Sequence, residues 1–542
     1  MQAGILAAAG IISRIIGLLY RGPLHSVIGD LGLGYYQSAY NFYTIILLIS
    51  SYSIPSAISK VIAQKLAVKE YRNAHRIFLC SMGYVLVIGG IASLFLFFGA
   101  GILVSGEAIP VLRTFAPTIF VYGILGVLRG YFQAHKSMAQ TSVSQILEQI
   151  ANAIISVGAA YLLIQNAMGT MEAPQDVAGQ VKRASAGAIG SALGTGVGVA
   201  VALLFMLGVY ALNSNMIHRR IAKDRHRNVD SYGTILKMIT SVVTPFILST
   251  AVYNLSGTVN NTIYTVIMPT IKKADSVDIY ANYGIFSGQA LTISNIPIAF
   301  ASAMASAMIP AIAQLSAAKD FIGAKQKIGL AVKSTMVISI PCAVGLCVLA
   351  KPVTCLLFPN NSDATADFAA KLLMTLSLSV IFYALSTLNS SILQGLGKVN
   401  VPIINAGLAL ILQTVTAVGL LFFTEMDLYS IAVANTMYSG IMCLLNQNAV
   451  RKAVGYKQEL FKTFFVPLLA AGFMGAIARV IYELLLMLKV SSYIAVLPAI
   501  GLGAGVYFVM LILLKGISEQ ELKGFPKGYL LVKVAKKCKL MR

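Results

Sequence analysis

The chain has 542 residues, of which 57% are apolar and only 11% are charged. Soluble domains carry about 25% charged residues, so this composition excludes an ordinary soluble protein and indicates an integral membrane protein. The formal net charge of +22 leaves two interpretations open at first, a nucleic-acid-binding surface or basic membrane loops. None of the six cysteines has CxxC spacing, so we expect packed free thiols, with neither a disulfide framework nor a metal site.

Fourteen segments are apolar and long enough to cross a bilayer, which takes about 20 helical residues. The first begins at the amino terminus and is interpreted as a retained helix, not a signal peptide. The segments cover residues 2–22, 34–62, 77–104, 110–133, 141–166, 184–212, 233–268, 280–313, 328–357, 368–394, 401–424, 428–450, 460–488 and 491–515. Because the sequence has no Trp, we expect Tyr to supply the interfacial aromatic belt.

The distribution of charge decides how the basic residues are interpreted. The loops after even-numbered segments, counted with their flanking residues and together with the carboxy-terminal tail, contain 30 of the 41 lysines and arginines. Basic residues concentrate on the cytoplasmic side of membrane proteins, so we expect both termini to be cytoplasmic and no nucleic acid to bind. Anionic membrane lipids are the partners that such loops attract.

A weak internal repeat predicts the domain organisation. IPSAIS at 54–59 resembles IPIAFA at 296–301, and Gln133-Ala134 resembles Gln394-Gly395. Parallel repeats build transporters whose substrate path lies between the halves. We therefore expect two six-helix lobes around a central cavity (1–212 and 233–450), joined by a basic cytoplasmic connection (213–232). Two extra helices (451–515) and a basic cytoplasmic tail (516–542) follow.

Two arginines of the first segment are the leading candidates for substrate binding. Arg14 lies about 20 Å along the first helix, too deep to reach the interface easily. A charge at that depth costs roughly 3 kcal/mol or more unless it faces a wet cavity or a partner. We expect Arg14 to face the central cavity and meet an anionic substrate, with a buried salt bridge as the alternative. Arg21 is either a second contact or an interfacial anchor.

Few other ionisable residues lie within the predicted spans. Glu148 belongs to a polar stripe with Gln145, Gln149 and Asn152 at helical spacing, which should face the interior. Its partner is predicted to be Arg14 or Arg129, in a structural ion pair or as a functional carboxylate. Lys60 and Arg129 end their helices on the predicted cytoplasmic side. There they either line an inward-open mouth or simply mark topology.

Uncharged polar residues gather in the seventh and eighth segments, and Asn254 and Gln289 represent the two groups. Hydrogen bonding between helices is one interpretation, and a cavity wall for sugar hydroxyls is the other. In the sixth segment Gly190, Gly194 and Gly198 recur every four residues, which predicts close helix packing.

The sequence contains no motif that indicates an enzyme. There is no Walker A loop, no HExxH, no GxSxG and no paired acids in a long extracytoplasmic loop. We therefore expect no catalytic residue, no metal and no cofactor. A membrane glycosyltransferase or polymerase is disfavoured because the loops that would carry its carboxylates are short.

Several stretches resemble one known group of transporters. They are SRIIG at 13–17 with Arg21, then GLGYYQSAYNFYTIILLISSYSIPSAISKVIAQK, and the turns at Gln133 and in ILQGLGKVNVPIINA. They are similar to the polysaccharide-biosynthesis flippases of the MOP superfamily. Within that superfamily, this sequence most resembles the MurJ-type lipid II flippases of Gram-positive bacteria and the stage V sporulation protein B group. The resemblance covers nearly the whole chain.

The resemblance implies a function and a location. It implies a transporter in the bacterial cytoplasmic membrane that flips undecaprenyl-pyrophosphate-linked sugar precursors, lipid II foremost, from the inner to the outer leaflet by alternating access. Arg14 matches the first-helix arginine of these flippases, whereas Arg21 follows one position later than their second arginine. Their arginine in helix eight has no counterpart, and Gln289 is offered in its place.

Two other functions remain as alternatives. One is a flippase for another lipid-linked polysaccharide unit, and the other is a MATE-type cation or drug antiporter on the same scaffold. Antiporters of that type need an embedded carboxylate, and Glu148 is the isolated acid available. We expect a monomer whose partners are the lipid-linked sugar substrate and membrane lipids, with cell-wall synthesis proteins as an open alternative.

Overall fold

The computed structural model describes residues 2–52, 54–171, 174–222, 224, 230–519, 521, 529, 532–533 and 536. Every regular element in these residues is a helix, as the sequence predicts. The chain divides into two compact units, unit 1 (Met1–Gly288) and unit 2 (Gln289–Arg542). The predicted lobes, 1–212 and 233–450, stay a prediction, and residues 223 and 225–229 of the 213–232 connection lie outside the described residues.

Unit 1 contains ten α-helices. They are α1 (Gln2–Leu19), α2 (Arg21–Leu47), α3 (Ile54–Ala67), α4 (Tyr71–Phe98), α5 (Ala100–Leu103), α6 (Ala108–Ala134), α7 (Met138–Met168), α8 (Val177–Ala222), α9 (Tyr232–Ile271) and α10 (Ser276–Tyr283). A π-helical segment, Leu48–Tyr52, joins α2 to α3, and a second one begins at Gly284. The direction of the chain turns at Gly29, whose φ of 71° favours glycine.

Unit 2 contains the remaining helices. They are α11 (Leu291–Ala317), α12 (Phe321–Val348), α13 (Ala350–Leu357), α14 (Asp363–Gly395), α15 (Asn400–Phe423), α16 (Leu428–Val454), α17 (Val466–Met487) and α18 (Ser492–Leu513), with a π-helical segment at Phe461–Phe465. Its apolar core forms chiefly from α11, α12, α14, α16 and α17. The hydroxyl of Tyr507 on α18 donates to the carbonyl of Val337 on α12 at 2.8 Å, which fixes the last helix to this core.

Ten helices of the described residues are long and apolar enough to cross a membrane, so the chain is a multi-pass membrane protein. The exact number of fourteen spans stays a prediction. Two of the predicted spans outside these ten, 34–62 and 280–313, contain π-helical segments that shorten the continuous α-helix. The other two, 2–22 and 233–268, include side chains that lie outside the described part of the chain.

The packing of α7 against α8 fixes the position of the functional site. The glycines at 190, 194 and 198 bring the two backbones into contact, which confirms the packing predicted from their spacing. A Cβ atom on Gly194 would overlap the backbone of Ser156, and one on Gly198 would lie 2.7 Å from the carbonyl oxygen of Glu148. This contact of Gly190, Gly194 and Gly198 with α7, called the glycine seam below, holds the polar side chains of α7 in place.

Replacing Gly194 with alanine should lower the melting temperature of the purified protein. The added methyl group has no room, and overpacking of this kind costs typically 1–3 kcal/mol. Gly208→Ala on the same helix is the matched control, because a Cβ at Gly208 meets no atom within 4 Å. Alanine is the better helix former, so the control should be as stable as the parent or more stable. Equal melting temperatures for the two variants would contradict this account of the seam.

Candidate functional site

A buried ion pair joins α6 to α7. Nη2 of Arg129 lies 2.8 Å from Oε2 of Glu148, and the side chains are only 5% and 16% exposed. Nε of Arg129 also donates to Oγ of Ser144 at 2.9 Å. Of the two partners that the sequence offers for Glu148, the structure selects Arg129. The arginine is therefore held by two groups of α7, and the charge of the carboxylate is balanced.

The polar stripe of α7 borders a cavity of about 450 Å³ within unit 1. Glu148, Gln149 and Asn152 line the cavity, as expected of a stripe that faces the interior. The remaining lining comes from α1, α2, α6, α8, α9 and the first π-helical segment: Gly17, Tyr20, Arg21, Tyr36, Tyr40, Tyr43, Thr44, Leu47, Leu48, Tyr122, Thr195, Val199 and Asn254. Of the predicted site residues, the structure brings Arg21, Glu148 and Asn254 together here.

Arg21 is the basic residue of this lining. It is half-buried at the start of α2, and its Nη1 donates to the carbonyl of Gly288 at 3.5 Å. That distance is long for a hydrogen bond, so the contact is weak. With the Glu148 carboxylate balanced by Arg129, the formal charges of these three residues sum to +1. The cavity therefore suits an anionic group better than a cation.

Arg14 lies on an exposed part of α1, outside the residues that line the cavity. It precedes Arg21 by seven residues, across the junction between α1 and α2 at Tyr20. Between them lies Gly17, on which a Cβ would lie 3.5 Å from Oε1 of Gln149, so this part of α1 packs against α7. We call Arg14 and Arg21 the basic track.

Two predicted site residues lie elsewhere. Lys60 is exposed on α3 and does not line the cavity. Gln289 is fully buried in unit 2, where it exchanges two side-chain hydrogen bonds with Asn361, at 2.8 and 3.3 Å. This exchange uses both the donor and the acceptor of each amide. A substrate-binding role for either residue stays a prediction.

The sequence analysis did not single out the tyrosines of the cavity. Tyr36, Tyr40 and Tyr43 recur along α2 at four- and three-residue spacing, so they share one face. The rings of Tyr36 and Tyr40 stack with centroids 5.6 Å apart, and the ring of Tyr43 stacks on Phe115 at 4.6 Å. An interfacial belt, which the absence of Trp predicts for tyrosine, does not account for these three residues, whose spacing indicates a common face.

The polar residues of α2 connect it to α9 and to the π-helical segment after α10. Nε2 of Gln37 donates to both oxygens of Ser287 at 3.2 Å. Nδ2 of Asn261 donates to Oγ of Ser38 at 2.9 Å. For these residues the polar clusters of the sequence serve helix bonding, whereas Asn254 lines the cavity. Both interpretations of the clusters therefore apply, to different residues.

The spans and the cavity define a polytopic, all-helical protein of the transporter class. A family model described as "Lipid II flippase MurJ" matches residues 76–499, which is more than half of the chain. The chain belongs to this family. The resemblance to MurJ-type flippases and to the sporulation group, drawn from the sequence, is confirmed.

Two curated relatives come from Bacillus subtilis (strain 168). Lipid II flippase MurJ is 24% identical over 533 residues, with 93% of each chain covered. Stage V sporulation protein B is 22% identical over 533 residues, with 96% of each chain covered. At these identities the comparison does not separate one lipid-linked substrate from another.

Solved structures show the same fold. An inward closed conformation of lipid II flippase MurJ superposes with a TM-score of 0.64 at 16% identity, covering 93% of this chain and 97% of the other. An inward-facing multidrug resistance MATE family transporter of the MOP superfamily gives 0.63, also at 16% identity, covering 84% and 98%. The fold is therefore shared with a lipid II flippase and with a multidrug resistance transporter, and it does not by itself distinguish their functions.

The buried ion pair predicts strong coupling between two substitutions. Glu148→Gln and Arg129→Gln should each lower the melting temperature markedly, because removal of one partner from a buried pair costs about 3–5 kcal/mol. The double variant should lose less than the sum of the two. Asp367→Asn is the control, since its pair with Lys351 is exposed and such pairs contribute at most about 1 kcal/mol. Additive losses would contradict the pairing.

Proposed function

We propose that the protein flips undecaprenyl-pyrophosphate-linked sugar precursors, most of all lipid II, from the inner to the outer leaflet by alternating access. Membership of the MurJ family supports a flippase for a lipid-linked precursor. The observation that carries the proposal is the charge of the cavity. Within the described residues, the one carboxylate of the lining is that of Glu148, which is paired with Arg129, and Arg21 adds a further positive charge, so the formal charges of the three residues sum to +1.

The pyrophosphate of the substrate would bind to the basic track, Arg14 and Arg21, through its phosphate oxygens. A guanidinium group makes planar, multidentate hydrogen bonds to phosphate oxygens, which a lysine cannot match in geometry. Arg21 lines the cavity, and Arg14 lies seven residues earlier in the chain, on α1. A phosphate group could pass from one arginine to the next without losing its countercharge. The prenyl chain meanwhile stays in the lipid, where its apolar surface costs nothing to accommodate.

The rest of the lining suits a sugar. Gln149, Asn152, Thr195 and Asn254 offer amide and hydroxyl groups to the sugar hydroxyls. The tyrosine face of α2 adds flat apolar surface with polar edges, against which the apolar side of a sugar ring can rest. A volume of about 450 Å³ falls within the usual range of ligand sites. We infer that the cavity takes the pyrophosphate and the adjoining sugar, not the whole headgroup.

The cellular setting follows from the same proposal. We place the protein in the bacterial cytoplasmic membrane with both termini in the cytoplasm, on the basis of the basic even-numbered loops. Its work is transport and not catalysis, without a cofactor. It acts as a monomer on a lipid-linked substrate among membrane lipids, within cell-wall or polysaccharide synthesis.

A MATE-type antiporter is the weaker candidate despite the shared fold. Cation coupling needs a carboxylate that can exchange a proton or a metal ion. Here the Glu148 carboxylate is held by Arg129 at 2.8 Å, so its charge is already balanced and is not available to bind a coupling cation. A flippase for another lipid-linked polysaccharide unit agrees with the cavity equally well, so the experiment must separate the two substrates.

Depletion of the protein in its host should lower the amount of lipid II that an outer-leaflet probe can reach. The flippase proposal predicts this loss because lipid II would then accumulate on the inner leaflet. Unchanged lipid II exposure with an altered teichoic or capsular polymer would instead assign another lipid-linked unit. Unchanged exposure together with unaltered polymers, in a host without a second flippase, would contradict the proposal.

Complementation with arginine variants tests the basic track. Arg14→Ala should abolish activity and Arg21→Ala should reduce it severely, while both proteins insert at normal levels. Arg113→Ala is the matched control, because Arg113 is exposed and donates to the carbonyl of Phe97, away from the cavity. It should complement fully. Full activity of Arg14→Ala would overturn the role given to the track.

A further inference from the structure

Unit 1 contains a second cavity, separate from the one described above. It has a volume of about 190 Å³ and forms where α3, α6 and α8 end and where α4 and α7 begin. This is the basic end of unit 1, which the charge pattern predicts to be cytoplasmic. It shares no lining residue with the first cavity.

The lining carries basic side chains without a balancing acid. His75, His135 and Arg220 contribute to it, together with the polar side chains of Gln140 and Asn213, and no Asp or Glu is among the described residues that line it. A cavity lined by one sign of charge attracts the opposite sign.

Two acidic residues at this end of unit 1, Glu70 and Asp224, are engaged with other groups. Oε2 of Glu70 lies 2.8 Å from Nζ of Lys65 and accepts a hydrogen bond from the side chain of Asn73 at 2.8 Å. Oδ2 of Asp224 accepts from the backbone N–H of Arg72 at 2.7 Å. These carboxylates therefore serve the loops around the cavity and do not line it.

The two histidines leave hydrogen-bonding capacity at the cavity. Nδ1 of His135 donates to the carbonyl of Tyr131 at 2.9 Å, so Nε2 is the ring nitrogen that remains, and it donates to a phosphate oxygen when the ring is protonated. Nδ1 of His75 is buried and has no hydrogen-bond partner among the described residues. A buried polar atom without a partner costs free energy, which a ligand would recover.

The electrostatic environment of His135 agrees with an anion site. Burial lowers the pKa of His135, the hydrogen bond to Tyr131 opposes this shift, and the nearby guanidinium of Arg220 lowers the pKa further. A bound anion would act in the opposite direction and favour the protonated form of His135. Arg220 itself is exposed at the end of α8, so it can reach a ligand without leaving a buried partner unpaired.

We propose that this second cavity binds the phosphate group of an anionic ligand. Arginine and histidine are strong donors to phosphate oxygens, and the amides of Gln140 and Asn213 add neutral donors. The volume suits a phosphate group with little else enclosed. The phosphate belongs either to an anionic lipid headgroup at the membrane surface or to a soluble phosphate compound. Bound there, it ties together α4, the α6–α7 turn and α8.

The two sources can be separated with full-length protein in nanodiscs. In phosphatidylcholine nanodiscs, inorganic phosphate is titrated and the melting temperature is followed. In a second series, phosphatidylglycerol replaces part of the phosphatidylcholine without added phosphate. A rise in the melting temperature with inorganic phosphate indicates a soluble phosphate compound as the ligand. A rise in the melting temperature only with phosphatidylglycerol indicates a lipid headgroup. No rise in either series would overturn the proposal.

Adjacent arginines provide the matched variants. Arg220→Gln removes a charge-assisted hydrogen bond, so the same rise in melting temperature should need about ten times more ligand, or should not occur at all. Arg219→Gln removes the same charge from an exposed neighbour that does not line the cavity, and it should respond like the parent. His135→Gln changes the part of the lining that follows α6, and it should also weaken binding. Equal losses in Arg219→Gln and Arg220→Gln would indicate diffuse charge attraction and refute a defined site.

Discussion

The ion pair between Arg129 and Glu148 sets the character of the transport cavity. It buries an arginine that would otherwise be costly inside a membrane protein, and it removes the negative charge from the lining. The same fold occurs in a multidrug resistance transporter and in a lipid II flippase, so the fold alone does not assign the function, and the charges of the cavity become the distinguishing feature. Here the balance of these charges leaves one arginine facing a cavity rich in tyrosine and amide side chains.

The position of this pair depends on the packing of small residues. The glycine seam of α8 holds α7 at backbone contact, so Glu148 and Asn152 cannot move away from the cavity without disturbing two helices. On the other side, α2 offers its tyrosines to the cavity while Gln37 and Ser38 hydrogen-bond to later parts of unit 1. A hydrophilic headgroup that leaves water loses hydrogen bonds, and polar side chains held in fixed positions around the cavity can replace them.

Local patterns in the sequence predicted those features that repeat along one helix. The polar stripe of α7, the glycine spacing of α8 and the helical character of each span follow from spacing alone. Long-range pairings do not. The choice of Arg129 over Arg14 for Glu148, and the exchange between Gln289 and Asn361, depend on how distant segments meet. The tyrosines of α2 were missed because their residue type suggested an interfacial belt, although their spacing carried the correct signal.

The central claim is that a net positive cavity binds the pyrophosphate of a lipid-linked sugar. Native mass spectrometry of the purified protein with lipid II, comparing the parent with Arg21→Glu, tests this claim most directly, because the substitution reverses the charge at the cavity while the Arg129–Glu148 pair stays in place. The account predicts that lipid II binding is lost in Arg21→Glu and kept in the control Arg113→Glu. Equal binding of lipid II by the parent and by Arg21→Glu would contradict it.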